Sequence, residues 1–115
     1  MIFVTGPLFS GKQEYICRRL GWNEEEFRLR AVRDVQELAE DSCDLEELAD
    51  RLAQKEVVIA TEVGGGVVPA DKEERGKRER AGRLACHLAA RADIVIRVQC
   101  GFGQVLKGKW ECGSF

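Results

Sequence analysis

No stretch of this sequence stays apolar for the roughly 18 residues a membrane-spanning helix needs, so a helical transmembrane protein is excluded. It also lacks an excess of charge of one sign. Its formal net charge is -2 although 33% of its residues are charged, which leaves no broad basic field to hold nucleic acid. Metal-ligand and disulfide spacings are absent too. The five cysteines (Cys17, Cys43, Cys86, Cys100 and Cys112) are odd in number, widely spaced and contain no Cys-x-x-Cys pair, so they read as reduced, small core residues of a cytoplasmic protein, with Cys112 the exposed one. There is no internal repeat and no low-complexity segment. Met1-Ile2-Phe3-Val4-Thr5 has no basic residue ahead of its apolar run, so it reads as a strand rather than a secretory leader.

What is present is one domain's worth of alternating strand and helix patterns. The chain has 115 residues, 44% of them hydrophobic, enough for one small core. Ile2 to Thr5 is a buried-type strand closed by Gly6-Pro7. Lys12 to Leu20 is a short amphipathic helix stopped at Gly21. Residues 22–26 read as an acidic connector, and Phe27 to Val32 alternates like a strand with one wet face. Asp34 with Glu37, and Asp44 with Glu47, carry the capping-box spacing ahead of two further helical stretches. Glu56 to Thr61 is the clearest strand. A glycine loop, Gly64 to Gly66, follows. Asp71 can then cap a long helix to about Arg91, with Ala81, Leu84, Ala85, Leu88 and Ala92 as its apolar stripe. Ile94 to Val98 is a further strand, Gly101-Phe102-Gly103 a turn and Gln104 to Leu106 a return strand. The expected fold is α/β and P-loop NTPase-like, a mostly parallel sheet with helices on its faces and a C-terminal hairpin. The domain is expected to span residues 1–107, with 108–115 as a tail.

Gly6-Pro7-Leu8-Phe9-Ser10-Gly11-Lys12 fits G-x-x-x-x-G-K, directly after a strand and directly before a helix. Such a loop wraps backbone N–H groups around an anion, and the helix after it points its positive end at the same place. Lys12 adds a mobile positive charge for the outer phosphates of a nucleoside triphosphate. The next position is Gln13, where a standard loop has a serine or threonine whose hydroxyl binds Mg²⁺. A glutamine carbonyl reaches a metal directly or through water, but less well. Glu62, just past the strand ending at Thr61, is the second candidate, either for Mg²⁺ or for orienting a nucleophile, because ligands of open α/β sheets sit outside the carboxyl ends of the strands.

The second half is more specific. Glu62-Val63-Gly64-Gly65-Gly66-Val67-Val68-Pro69 precedes Arg75-x-x-Arg78, Ala81-Gly82-Arg83, Ala92-Asp93 and Gly101-Phe102-Gly103. This resembles the adenosylcobinamide kinase / adenosylcobinamide-phosphate guanylyltransferase family of cobalamin biosynthesis, whose corresponding segment reads N-E-V-G-x-G-I-V-P, R-x-x-R-D, A-G-R-x-N-Q, A-D-x-V and a G-x-G hairpin. Thr5, Gly6, Ser10, Gly11 and Lys12 also stand in register with that family's phosphate loop. The resemblance implies a cytoplasmic homo-oligomer that uses GTP or ATP to phosphorylate the aminopropanol hydroxyl of a corrinoid, cobinamide, and then transfers GMP through a guanylylated histidine. It further implies phosphate contacts for Arg75 and Arg78, which otherwise read as a solvated helix face.

This chain departs from that pattern at several places. Its middle has no counterpart of the family's histidine segment, and the single histidine, His87, lies inside the long helix. Ala85-Cys86 stands for Asn-Gln, and Gln13 for the hydroxyl residue. Three readings follow. One is a kinase that has lost guanylyl transfer, with Lys12 and Glu62 as its catalytic residues. Another is a degenerate nucleotide- or corrinoid-binding module. The third is a purely structural partner protein whose loop binds only stray anions.

Overall fold

The Gly6-Pro7 pair and Gly21 frame the first unit of the fold as their chemistry dictates. In a computed structural model describing residues 1–62 and 72–109, strand β1 runs Ile2–Gly6 and helix α1 runs Lys12–Leu20. Gly21 sits in the left-handed region (φ 69°) and its N–H donates to the Cys17 carbonyl, closing the helix.

The next segment differs from the sequence expectation. The acidic stretch and the expected strand Phe27 to Val32 are mostly helix α2 (Glu24–Arg30), followed by a two-residue strand β2 (Ala31–Val32). The capping box of Asn23 and Glu26 is the reason: the Asn23 side chain accepts from the Glu26 N–H at 2.8 Å, and the Glu26 carboxylate faces back to the Asn23 N–H. Three glutamates in the first turn and two arginines in the last suit the helix dipole. Phe27 and Ala31 are both buried, four residues apart, whereas Leu29 is 68% exposed, so the apparent alternation was a helical face seen through too short a window. Arg30 then pins the helix end by pairing with Glu56 and lying 4.6 Å over the Trp22 ring. Asn23→Ala is expected to lower stability by about 1 kcal/mol in chemical denaturation, the usual worth of a lost cap.

Beyond β2 comes a 3₁₀ segment, Val35–Glu40. Asp34 does not cap it through its side chain, as the spacing had suggested. It adopts a left-handed conformation (φ 55°) and its carboxylate accepts from the Thr61 hydroxyl instead. Asp44 does cap helix α3 (Leu45–Leu52), accepting from the N–H groups of Glu46 and Glu47. Strand β3 is Val57–Thr61, helix α4 Lys72–Arg91, strand β4 Ile94–Gln99 and strand β5 Phe102–Lys107. The hairpin between β4 and β5 turns at Cys100 and Gly101, both at positive φ, rather than at Gly101–Gly103, so the return strand begins at Phe102. The expected Asp71 cap, the Gly64–Gly66 loop and Cys112 lie outside the described residues.

The sheet order is β2-β3-β1-β4-β5, parallel except for β5. Register makes both faces apolar. Phe3 lies level with Val58 and Val95, and this row packs under α3, α4 and the 3₁₀ segment through Leu48, Leu84 and Leu88. Val4 lies level with Ile59 and Ile96, and this row packs under α1 and α2 through Ile16 and Phe27. The fold is therefore an α/β three-layer arrangement of the P-loop NTPase type. The cysteines are not core residues as expected: Cys43, Cys86 and Cys100 are exposed, Cys17 is half-buried, and all four are free thiols. Burial, together with Glu14 and Glu24, pushes the Cys17 thiol up, which keeps it protonated and inert.

Candidate functional site

The site lies at the carboxyl ends of β1 and β3, where the strands stop and their connections diverge. Gly6 ends β1 with φ 154°, and its carbonyl accepts from the Glu62 N–H at 2.8 Å, which holds the two strand ends together. The chain then loops over Pro7 to Ser10. Leu8 and Phe9 point outward, Phe9 being 94% exposed at φ 59°. Ser10 and Lys12 point inward and are the buried polar residues of the chain's described part. Gly11 (φ 81°) begins α1, and the Ser10 carbonyl accepts from Gly101 in the β4–β5 turn at 2.9 Å, so the hairpin braces the loop.

Lys12 donates from Nζ to the Pro7 carbonyl at 2.8 Å and lies 3.4 Å from Ser10 Oγ. Burial pushes its ammonium below the ordinary lysine value, while the carboxylates of Asp34, Glu62 and Glu14 pull it partly back. A charge held at a desolvation cost inside a loop of backbone donors is ready for an anion that offsets that cost.

A cavity of about 170 Å³ opens beside Lys12, and Gln13, Arg33, Asp34 and Thr61 line it. On the opposite sheet face a second cavity, about 200 Å³, is lined by Thr5, Gln36, Thr61, Glu62, Arg78 and Gly82. Thr61 borders both, and its backbone N–H donates to Gln36 at 2.9 Å. The two cavities thus meet at the end of β3.

Of the residues singled out by sequence, Gly6 ends β1, Pro7 to Gly11 form the turn, and Lys12 and Gln13 open α1. Gln13 and Glu62 do not converge: Gln13 borders the first cavity and Glu62 the second. Arg78 borders the second cavity beside Glu62, whereas Arg75 is exposed in the first turns of α4 and borders neither. Arg83 pairs with Glu79 along the helix. His87 is half-buried within α4, two residues past Ala85 of the second cavity's lining but itself in neither lining, and its carbonyl accepts from Arg91 at 2.9 Å. A Cβ at Gly82 would meet nothing within 4 Å, so no close approach requires this glycine.

Three residues of the site were not among the sequence's site candidates: Arg33 and Arg97, and Asp34, which the sequence offered only as a helix cap. Arg97 lies level with Thr5 in the sheet and grips Glu62 with both arms, Nε to Oε1 at 2.9 Å and Nη2 to Oε2 at 3.0 Å. Those bonds hold the Arg97 guanidinium further above its already high value. Arg33 donates from Nη1 to Gln13 Oε1 at 2.7 Å, and its Nε lies 3.9 Å from Asp34 Oδ2. The available signal is positional, an Arg-Asp pair directly after a short strand.

This donor set fits a divalent cation poorly. Mg²⁺ demands several oxygen ligands at about 2.0–2.1 Å in octahedral array. Here the Gln13 oxygen is bonded to Arg33 and both Glu62 oxygens to Arg97. Among the described residues no group of three or more acidic, cysteine or histidine side chains could hold a metal ion.

With this geometry established, comparison with known proteins gives two results. The family described as cobinamide kinase / cobinamide phosphate guanyltransferase matches residues 22–106, a range that takes in the middle of the chain and begins after the Gly6–Lys12 loop. The bifunctional adenosylcobalamin biosynthesis protein CobU of Salmonella typhimurium is 42% identical over 57 residues, which are 50% of this chain and 32% of that relative. The match thus spans about a third of that relative's length.

Proposed function

Because the chain belongs to the cobinamide kinase / cobinamide phosphate guanyltransferase family, we propose that it is a nucleotide-dependent kinase of cobalamin biosynthesis that acts on a cobinamide-type corrinoid and has lost guanylyl transfer. The observation that carries this reading is the pair of cavities meeting at Thr61, one beside Lys12 and one beside Glu62. GTP or ATP lies along the Gly6–Gln13 loop, with Lys12 against the outer phosphates. The acceptor's hydroxyl enters from the second cavity. Glu62, oriented by Arg97, takes the hydroxyl proton as the acceptor oxygen bonds to the γ-phosphorus. The β–γ bridging oxygen leaves with GDP or ADP, and Arg78 meets charge on the transferring group. Loss of guanylyl transfer is supported by the position of His87, the single histidine of the sequence, outside the described lining of either cavity. A homo-oligomer in the cytoplasm completes the reading; sedimentation of the purified chain and fractionation of cells check those two parts.

Incubation with γ-labelled GTP or ATP and cobinamide tests the chemistry, and labelled cobinamide phosphate is the expected product. Glu62→Gln is expected to lower turnover by about 10²- to 10⁴-fold, the usual contribution of a positioned general base, with nucleotide affinity unchanged. The second reading is a catalytically degenerate module that binds nucleotide or corrinoid. It is favoured by the Arg33–Gln13 bond at the position of the usual metal-binding hydroxyl. Nucleotide binding without any product would select it.

A further inference from the structure

A bound triphosphate carries up to four negative charges, and phosphate-loop proteins ordinarily meet them with the loop, a lysine and a divalent ion bridging the β- and γ-oxygens. In this chain the ion's usual protein anchor after the lysine is Gln13, and a guanidinium already occupies its oxygen. Arg33 Nη1 is 2.7 Å from Gln13 Oε1, and Arg33 Nε is 3.9 Å from Asp34 Oδ2. The cation therefore stands between the two oxygen donors that would otherwise hold a metal on this side of the loop. Both Arg33 and Gln13 border the same cavity as Lys12.

The backbone fixes this placement. Arg33 directly follows β2, whose Ala31 and Val32 lie level with Val57 and Val58 of β3, so its Cα is set at the rim of the sheet. Its side chain is 63% exposed, so its charge is carried in water at little cost and can turn toward a ligand. A guanidinium has five N–H donors in a planar fork that suits two phosphate oxygens at once. The remaining candidate ligand, Glu62, borders the other cavity and is gripped by a second arginine, Arg97.

We propose that Arg33 stands in for the divalent cation: Lys12 and Arg33 together hold the outer phosphates, and this chain binds nucleoside triphosphate without Mg²⁺. The proposal rests on the nucleotide-binding part of the proposed function and goes beyond it in assigning the charge to an arginine rather than a metal.

The test is calorimetry on the full chain with GTP, ATP and inorganic tripolyphosphate, each in EDTA and in saturating Mg²⁺. Affinity for at least one nucleotide is expected to agree within about threefold between the two conditions, a difference of less than about 1 kcal/mol. Arg33→Ala is expected to weaken binding in EDTA by about tenfold or more, the worth of a lost charge-assisted pair, and Arg33→Lys to recover only part of it. Gln13→Ser in the Arg33→Ala background is expected to make binding depend on Mg²⁺. Circular dichroism melts check that the variants fold. Wild-type binding that falls tenfold or more on chelation would overturn the proposal while leaving the kinase reading intact, and so would Arg33→Ala binding like wild type in EDTA. Absence of binding under both conditions would remove the proposal and the nucleotide reading together.

Discussion

Lys12→Ala is expected to weaken nucleotide binding by about 100-fold or more, the effect of losing two or so charge-assisted contacts to phosphate, yet to leave the melting temperature unchanged or raised. The two outcomes have one cause. Lys12 is 8% exposed, and burial pushes its ammonium below the ordinary lysine value. Between that lowered value and the unfolded value of 10.5, the folded chain binds fewer protons than the unfolded one, so stability rises with pH across that window. Below the window the ammonium is charged in both states and folding bears the full cost of burying it. Alanine removes that cost along with the ligand contact. Calorimetry with GTP and ATP reads the first outcome, and thermal melts at neutral and alkaline pH read the second. The wild type should gain stability as pH rises toward the lysine range relative to Lys12→Ala. A variant that melts far below wild type would instead make Lys12 a structural strut acting through its bonds to Pro7 and Ser10.

Gly6→Ala is the other large effect, and it falls on the fold. A Cβ at Gly6 would lie 2.1 Å from the Val98 carbonyl oxygen and 3.0 Å from Ser10 Oγ, at a φ of 154° that L side chains rarely adopt. Neither backbone can give way easily. Gly6 lies level with Thr61 in the β1–β3 pairing, and its carbonyl holds the Glu62 N–H. The expected loss is about 3 kcal/mol or more, combining strain with disruption of buried pairing. Nucleotide binding should fail with it, since the same residue opens the phosphate loop. Gly82→Ala is the matched control. Its Cβ meets nothing within 4 Å, and in a helix interior the change should stabilise by about 1 kcal/mol. Urea denaturation of the two variants beside the wild type measures both.

These sites differ in how far they could be read from the chain alone. The Gly6–Lys12 loop was legible because a strand, a breaker pair, a glycine and a lysine fall at fixed spacing, and each restricts the backbone locally. Helix α1 was legible to its last residue for the same reason, through Gly21. Helix α2 was not. Phe27, Leu29 and Ala31 alternate over five positions, a window too short to distinguish a period of 2 from one of 3.6. The Asn23–Glu26 cap that decided the matter was written in the sequence but competes there with similar acidic pairs. Asp34 shows the converse: its spacing to Glu37 fits a capping box, yet Thr61 of a distant strand draws its carboxylate away.

Local order therefore determined the phosphate loop, the long α4 and the α/β class, because glycine conformation, proline and apolar periodicity act over a few residues. The tertiary structure alone decided that Glu62 faces Arg97, that Gln13 faces Arg33, and that those two candidate metal ligands border different cavities. Each of those pairings joins residues 20 or 35 positions apart in the chain. The register of parallel strands set them, since parallel neighbours are brought together by crossovers whose ends no local rule specifies. A strand arginine such as Arg97 looks the same in sequence whether it faces water or a glutamate; only the end of the neighbouring strands, where Glu62 stands, distinguishes them.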